Sequence, residues 1–129
     1  MPKWDEILKE INSTPAQTDI VRRKYLKQLS EHTTRHTIAY YSGWMVNQGA
    51  VDINDEDING FMNSIGECDR NNGMDLILHT PGGNPTATES IVNYLRSIFG
   101  TNIRVIVPQI AMSAWTMLAC AANEIVMGK

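Results

Sequence analysis

The hydrophobic period of the chain changes once. Up to about residue 36, apolar positions recur at helical spacing. Trp4, Ile7, Leu8 and Ile11 fall on one face of "KWDEILKEI", and after the break at "NSTPAQT" the spacing returns with Ile20, Val21, Tyr25 and Leu29. From there on, short apolar runs alternate with amphipathic ones. "TIAYYSGW", rich in β-branched and aromatic residues and closing on a glycine, reads as a strand. "MDLILHT" and "IRVIVP" are unbroken apolar runs, the mark of strands covered on both faces, and "EIVMG" starts a last strand. The helical stretches between them carry Ile58, Phe61, Met62 and Ile65, then Ile91, Val92, Leu95, Ile98 and Phe99, then the small residues of "SAWTMLACAA". Asn54 is placed to cap the first of these, with Asp55, Glu56 and Asp57 in the turn where the helix dipole favours acids, and Gly100 is placed to end the second. The predicted order is two helices followed by β-α-β-α-β-α-β, with strands near 37–44, 74–79, 103–107 and 124–128. Such alternation predicts an α/β fold on a mainly parallel sheet. Residues 1–36 form a helical segment in this reading, and 37–129 form the β/α part.

Composition narrows the class. At 129 residues the chain is long enough for one domain, and 43% hydrophobic with 19% charged residues is a globular balance. A net charge of −3 argues against nucleic-acid binding, which needs a clustered basic face. The densest basic cluster, "RRKYLK", lies within a helical pattern and reads as its solvated face. The longest small, uncharged run, Ala111 to Ala122, is about a dozen residues, where a membrane span needs about twenty. No secretory leader pattern opens the chain, so a reducing, cytoplasmic setting is expected, with Cys68 and Cys120 free. Cys120, in "LACAA", reads as a small buried residue.

Metal and cofactor sites are not expected. "DEDINGFMNSIGE" approaches a calcium loop through Asp55, Asp57, Asn59 and Gly60, but the twelfth position is Gly66 and Glu67 comes one residue late. His32 and His36 stand four apart, as on one helical face, without a third ligand nearby. His79 closes a strand and is either a site residue or a polar strand end bonded to loop backbone.

The chemistry concentrates at two β-to-helix junctions, "HTPGG" and "AMSA", at the strand ends where parallel sheets place their functional loops. Gly82 and Gly83 let backbone amides approach a ligand or provide positive φ in a turn. Amides so placed can face a developing oxyanion. Ser113 stands where a helix begins, and the positive end of the helix dipole favours an anion there. A nucleophile with part of an oxyanion hole is one reading. A turn glycine pair and an N-cap serine is the other.

The stretches "RRKYLKQLSEHT", "IAYYSGW", "DINGFM", "DLILHTPGG", "ATESIVNYLRSIFG", "IRVIVPQIAMSA" and "EIVMGK" together resemble the serine dehydrogenase proteinase family, relatives of signal peptide peptidase SppA within the ClpP/crotonase superfamily. The resemblance implies a β-α superhelical spiral and a serine peptidase acting on peptides or unfolded proteins, without a cofactor. It implies that Ser113 is the nucleophile, that amides of Gly82, Gly83 and Ala114 form the oxyanion hole, and that the chain assembles into homo-oligomers. A sheet ending at the last strand also leaves an edge that favours association. The family pattern after the serine is Ala-Gly-Thr, whereas this chain has Ala114-Trp115-Thr116. Trp115 would fill the binding groove, shift the helix start or pack against a partner. Asn84 stands where an acidic residue is usual. In such relatives more chain follows the "MGK" segment, including the base that activates the serine, so the sequence reads as cut short. Lys129 matches no family base, and His79 is an accessory candidate. Two further readings stand beside the peptidase: a catalytically incomplete or pseudoenzyme form that binds or self-associates, and a crotonase-like acyl-thioester enzyme, against which the serine of "AMSA" argues.

Overall fold

A computed structural model describes residues 2–13, 17–42, 55–66 and 68–128. The chain divides into two compact units, Met1–Thr34 and Arg35–Lys129. The first is a pair of helices, α1 (Trp4–Ser13) and α2 (Gln17–Thr33). Glu10 links them, through the ammonium of Lys24 and, at 3.1 Å, the hydroxyl of Tyr25. None of α1 is buried, and Trp4 and Leu8 remain exposed on the face that the spacing assigned to packing. Thr34, at φ 56°, leaves helical geometry directly after α2. His32 therefore lies in α2 and His36 in a strand, and the two share no helical face. The four-residue spacing was read across a helix end that it could not reveal.

The second unit carries the sheet. Its elements are β1 (His36–Tyr41), α3 (Asp55–Ile65), β2 (Met74–His79), α4 (Pro85–Phe99), β3 (Ile103–Val107), α5 (Ala114–Cys120) and β4 (Glu124–Met127), with a short 3-10 turn at Arg70–Asn72. The strands lie in chain order, β1-β2-β3-β4, and every adjacent pair is parallel. This is the expected α/β architecture. The first strand was expected to run to 44 and ends at Tyr41, and residues 43 and 44 lie outside the described residues, as does the Asn54 cap.

Crossovers of one hand that advance one strand at a time stack their helices on the same face of the sheet. One core cluster accordingly contains Phe61 and Ile65 of α3, Ile91, Leu95 and Phe99 of α4, Trp115 and Leu118 of α5, and one face of the central strands: Met74, Leu76, Leu78, Ile103, Val105 and Val107. The alternate residues, Ile77 and Ile106, are half-buried and lie outside that cluster. Among the described residues of this unit, the unbroken apolar runs therefore give one fully buried face and one half-buried one. Met62 and Cys120, expected inside, are exposed because each falls just off the buried arc of its helix. Met62 follows the buried Phe61, and Cys120 follows the buried Leu118 and Ala119. Residues 55–65 form a regular helix rather than a calcium loop.

Among the described residues one charge is buried, at the amino end of the strands. Asp75, fully inaccessible, accepts from Arg104 Nε at 3.0 Å and Nη2 at 2.6 Å, and from Arg35 Nε at 2.6 Å. Arg35 also donates to the carbonyls of Met74 and Asn102, both at 3.0 Å. These bonds tie the entry to β1 onto β2 and the turn before β3. Removing one partner of such a buried group costs about 3–5 kcal/mol, so this network clamps the strand register.

Candidate active site

Two loops meet at the carboxyl ends of the central strands. The loop after β2 runs from Thr80 to Asn84, and the loop after β3 from Pro108 to Ser113. An isolated parallel bridge between Thr80 and Ala111 ties them together. In it, Thr80 N–H donates to the Ile110 carbonyl at 3.1 Å and Met112 N–H to the Thr80 carbonyl at 3.3 Å. The distant sequence pieces "HTPGG" and "AMSA" are thus one structure.

Within it, Gly82 abuts Ser113. Gly82 is buried at φ 136°, and a Cβ built there would lie 2.8 Å from Ser113 Cβ and 3.4 Å from Ser113 Oγ. Both the backbone angle and the contact require glycine at this position. The Gly82 N–H points inward, 3.4 Å from the hydroxyl of Thr80.

Ser113 is exposed at φ 55°, ψ −127°. A non-glycine residue there stores about 1–3 kcal/mol, and such strain collects at functional sites. Its side chain does not cap α5, so the N-cap reading of this serine does not hold. Ala114 is the first helical residue, and its N–H has no acceptor one turn earlier. The turn is held from behind, by Trp115 N–H on the Met112 carbonyl at 3.2 Å and by Thr116 Oγ1 on the Ala111 carbonyl at 2.8 Å.

Trp115 does not enter the groove. It is fully buried, with its ring centroid 4.2 Å from that of Tyr40, which in turn stacks on Phe61 at 5.8 Å. Among the described residues its buried Nε1 has no hydrogen-bond partner. Burial and the neighbouring Asp57 carboxylate push the Tyr40 hydroxyl well above the ordinary phenol range. A cleft of about 200 Å³ beside Tyr40, between β1 and α3, is also lined by Ile38, Asp57, Phe61 and Ser64. The signal for the Tyr40 contact was the aromatic pair in "IAYYSGW", which periodicity alone does not connect to Trp115.

His79 ends β2. Its carbonyl accepts from Ser42 N–H at 3.1 Å, and strand alternation turns its ring to the side opposite buried Leu78. Among the described residues, no side chain hydrogen-bonds Ser113 Oγ, and no group of three His, Cys, Asp or Glu could hold a metal. Among them too, no helix is long and apolar enough to cross a membrane.

Residues 17–129 match the family of ClpP-like SDH-type serine proteinases. Two similar proteins come from Methanocaldococcus jannaschii. Uncharacterized protein MJ0137 is 39% identical over 72 residues, 56% of this chain and 25% of that protein. Uncharacterized protein MJ1495 is 45% identical over 56 residues, 43% of this chain and 19% of that protein. The parallel β/α sheet agrees with this match over most of the chain: the chain belongs to the ClpP-like SDH-type serine proteinase family.

Proposed function

We propose that this chain carries the nucleophile and oxyanion hole of a serine peptidase, with Ser113 as nucleophile. The observation that supports this most is the contact of Gly82 with a strained, exposed serine that caps nothing. In this reading Ser113 Oγ attacks the carbonyl carbon of a peptide bond and gives its proton to a base. The carbonyl π pair moves onto oxygen, and backbone N–H groups receive that charge. Collapse of the tetrahedral intermediate expels the amine, which takes up a proton, and leaves an acyl ester on Ser113 that water then hydrolyses.

Of the three candidate amides, those of Ala114 and Gly83 are the donors proposed for the oxyanion. Gly82 N–H is turned to Thr80, so its part is clearance beside Ser113, and Gly83 supplies the loop amide. The base is supplied from outside the described residues or by a neighbouring copy, with His79 as the accessory candidate from this chain. The substrates are peptides or unfolded proteins. The setting proposed is a cytoplasmic homo-oligomer.

A fluorophosphonate probe tests the proposal directly. It labels an activated serine and needs no natural substrate. Labelling of the wild-type chain that Ser113→Ala abolishes supports the reading. The second reading, a binding or self-associating member without turnover, is favoured by Ser113 Oγ having no hydrogen-bonded base among the described residues, and it predicts no labelling.

A further inference from the structure

We infer that Thr80 is a positioning residue, whose buried hydroxyl sets the orientation of the glycine loop at the oxyanion site. The catalytic consequence rests on the reading of Ser113 as nucleophile; the positioning itself does not.

Thr80 is completely inaccessible to solvent and joins three loops. Its backbone bonds both sides of Ala111 in the serine loop, as described above. Its Oγ1 accepts from Gly82 N–H at 3.4 Å and from Ser42 Oγ at 3.0 Å, just beyond the end of β1. A buried hydroxyl needs partners, and these are the glycine loop and a neighbouring strand end rather than its own strand.

The consequence follows from the peptide plane between Pro81 and Gly82. The proline ring holds φ of residue 81, so the plane turns mainly through ψ of Pro81 and φ of Gly82. At Gly82 that φ is 136°, where glycine turns freely. The Thr80 hydroxyl restrains the turn by holding the Gly82 N–H inward. The backbone that follows, leading into Gly83, is thereby held in one orientation beside Ser113. Ser42 donates to the same oxygen and keeps the Thr80 side chain in the rotamer that reaches Gly82. A space-filling threonine would serve equally well as valine; a positioning threonine would not.

The test compares Thr80→Val, which keeps the shape, with Thr80→Ser, which keeps the hydroxyl, and Ser42→Ala, all in the full chain. Two quantities are read: amide hydrogen exchange of Gly82 by NMR, and the rate of fluorophosphonate labelling at Ser113. In Thr80→Val, Gly82 exchange is expected to speed up by about tenfold or more, the scale of losing one modest hydrogen bond. Labelling is expected to slow by about a hundredfold, the scale of a small misplacement at a reacting centre. Thr80→Ser is expected to return both to within a few-fold of wild type, and Ser42→Ala to shift both by several-fold. Equal Gly82 exchange in wild type and Thr80→Val overturns the inference, as does labelling of Thr80→Val at the wild-type rate. If Thr80→Val does not fold, Ser42→Ala decides: unchanged exchange and labelling overturn the inference. If the wild type does not label, the nucleophile reading fails, and Gly82 exchange still decides the positioning.

Discussion

The two β-to-helix junctions begin alike and are built for different ends. At the start of α4, Asn84 Oδ1 accepts from the N–H groups of Thr86 at 2.8 Å and Ala87 at 3.4 Å, and Pro85 takes the first helical turn. Thr88 Oγ1 closes back on the Asn84 carbonyl at 3.0 Å. Every device there satisfies a helix end. At the start of α5, Ser113 occupies the equivalent position, lies in a strained backbone conformation and caps nothing. A capped end contributes stability and has no donors left for a ligand. An uncapped end gives up that stability and leaves its first N–H, that of Ala114, without a capping side chain. The contrast separates structure from site more sharply than residue type does, since Asn and Ser are both good caps.

Substitutions at the two ends should therefore diverge. Ser113→Ala is expected to abolish fluorophosphonate labelling and any turnover, a loss that reaches about a millionfold when a serine nucleophile is removed, while circular dichroism stays that of wild type. Trp115→Gly, which matches the family pattern of Ala-Gly-Thr, is expected to lower stability by about 3–5 kcal/mol, because it empties the core position against Tyr40. Urea unfolding measures this; a change below 1 kcal/mol would mean that the ring is not core. Gly82→Ala places a methyl against Ser113 at a positive φ and should slow labelling by about a hundredfold, with a loss of about 1–3 kcal/mol in the same unfolding assay. Asn84→Ala should cost about 1 kcal/mol and leave the labelling rate unchanged. Ser113→Gly, by relieving strain, should raise the melting temperature slightly, a gain of about 1 kcal/mol at most. If Asn84→Ala slowed labelling, or Ser113→Gly lowered stability, the contrast between the ends would collapse.

Much of the fold was legible because it rests on local patterns. The runs "MDLILH" and "IRVIV" define β2 and β3 to the residue, and Ile91, Leu95 and Phe99 mark the buried stripe of α4. Where the pattern misled, an element boundary or a neighbour decided the outcome. Cys120 and Met62 have apolar surroundings in sequence and solvent in space. His32 and His36 were separated by a helix end at Thr34. The glycine pair and the serine were legible as a pair of unusual junctions. Their contact was not, because the residues lie about thirty positions apart and the bridge that joins them leaves no mark in either segment.

By itself the sequence determined the order of helices and strands, the parallel sheet they imply and the two junctions that make up the candidate site. Periodicity and chain connectivity are properties of neighbouring residues, and they survive in one dimension. Only the tertiary structure decided that Gly82 lies against Ser113, that Ser113 is strained rather than a cap, that Trp115 is core and that Thr80 ties three loops together. Each of those depends on which distant side chain or backbone fills the space nearby, and packing fixes that only when the strands have paired.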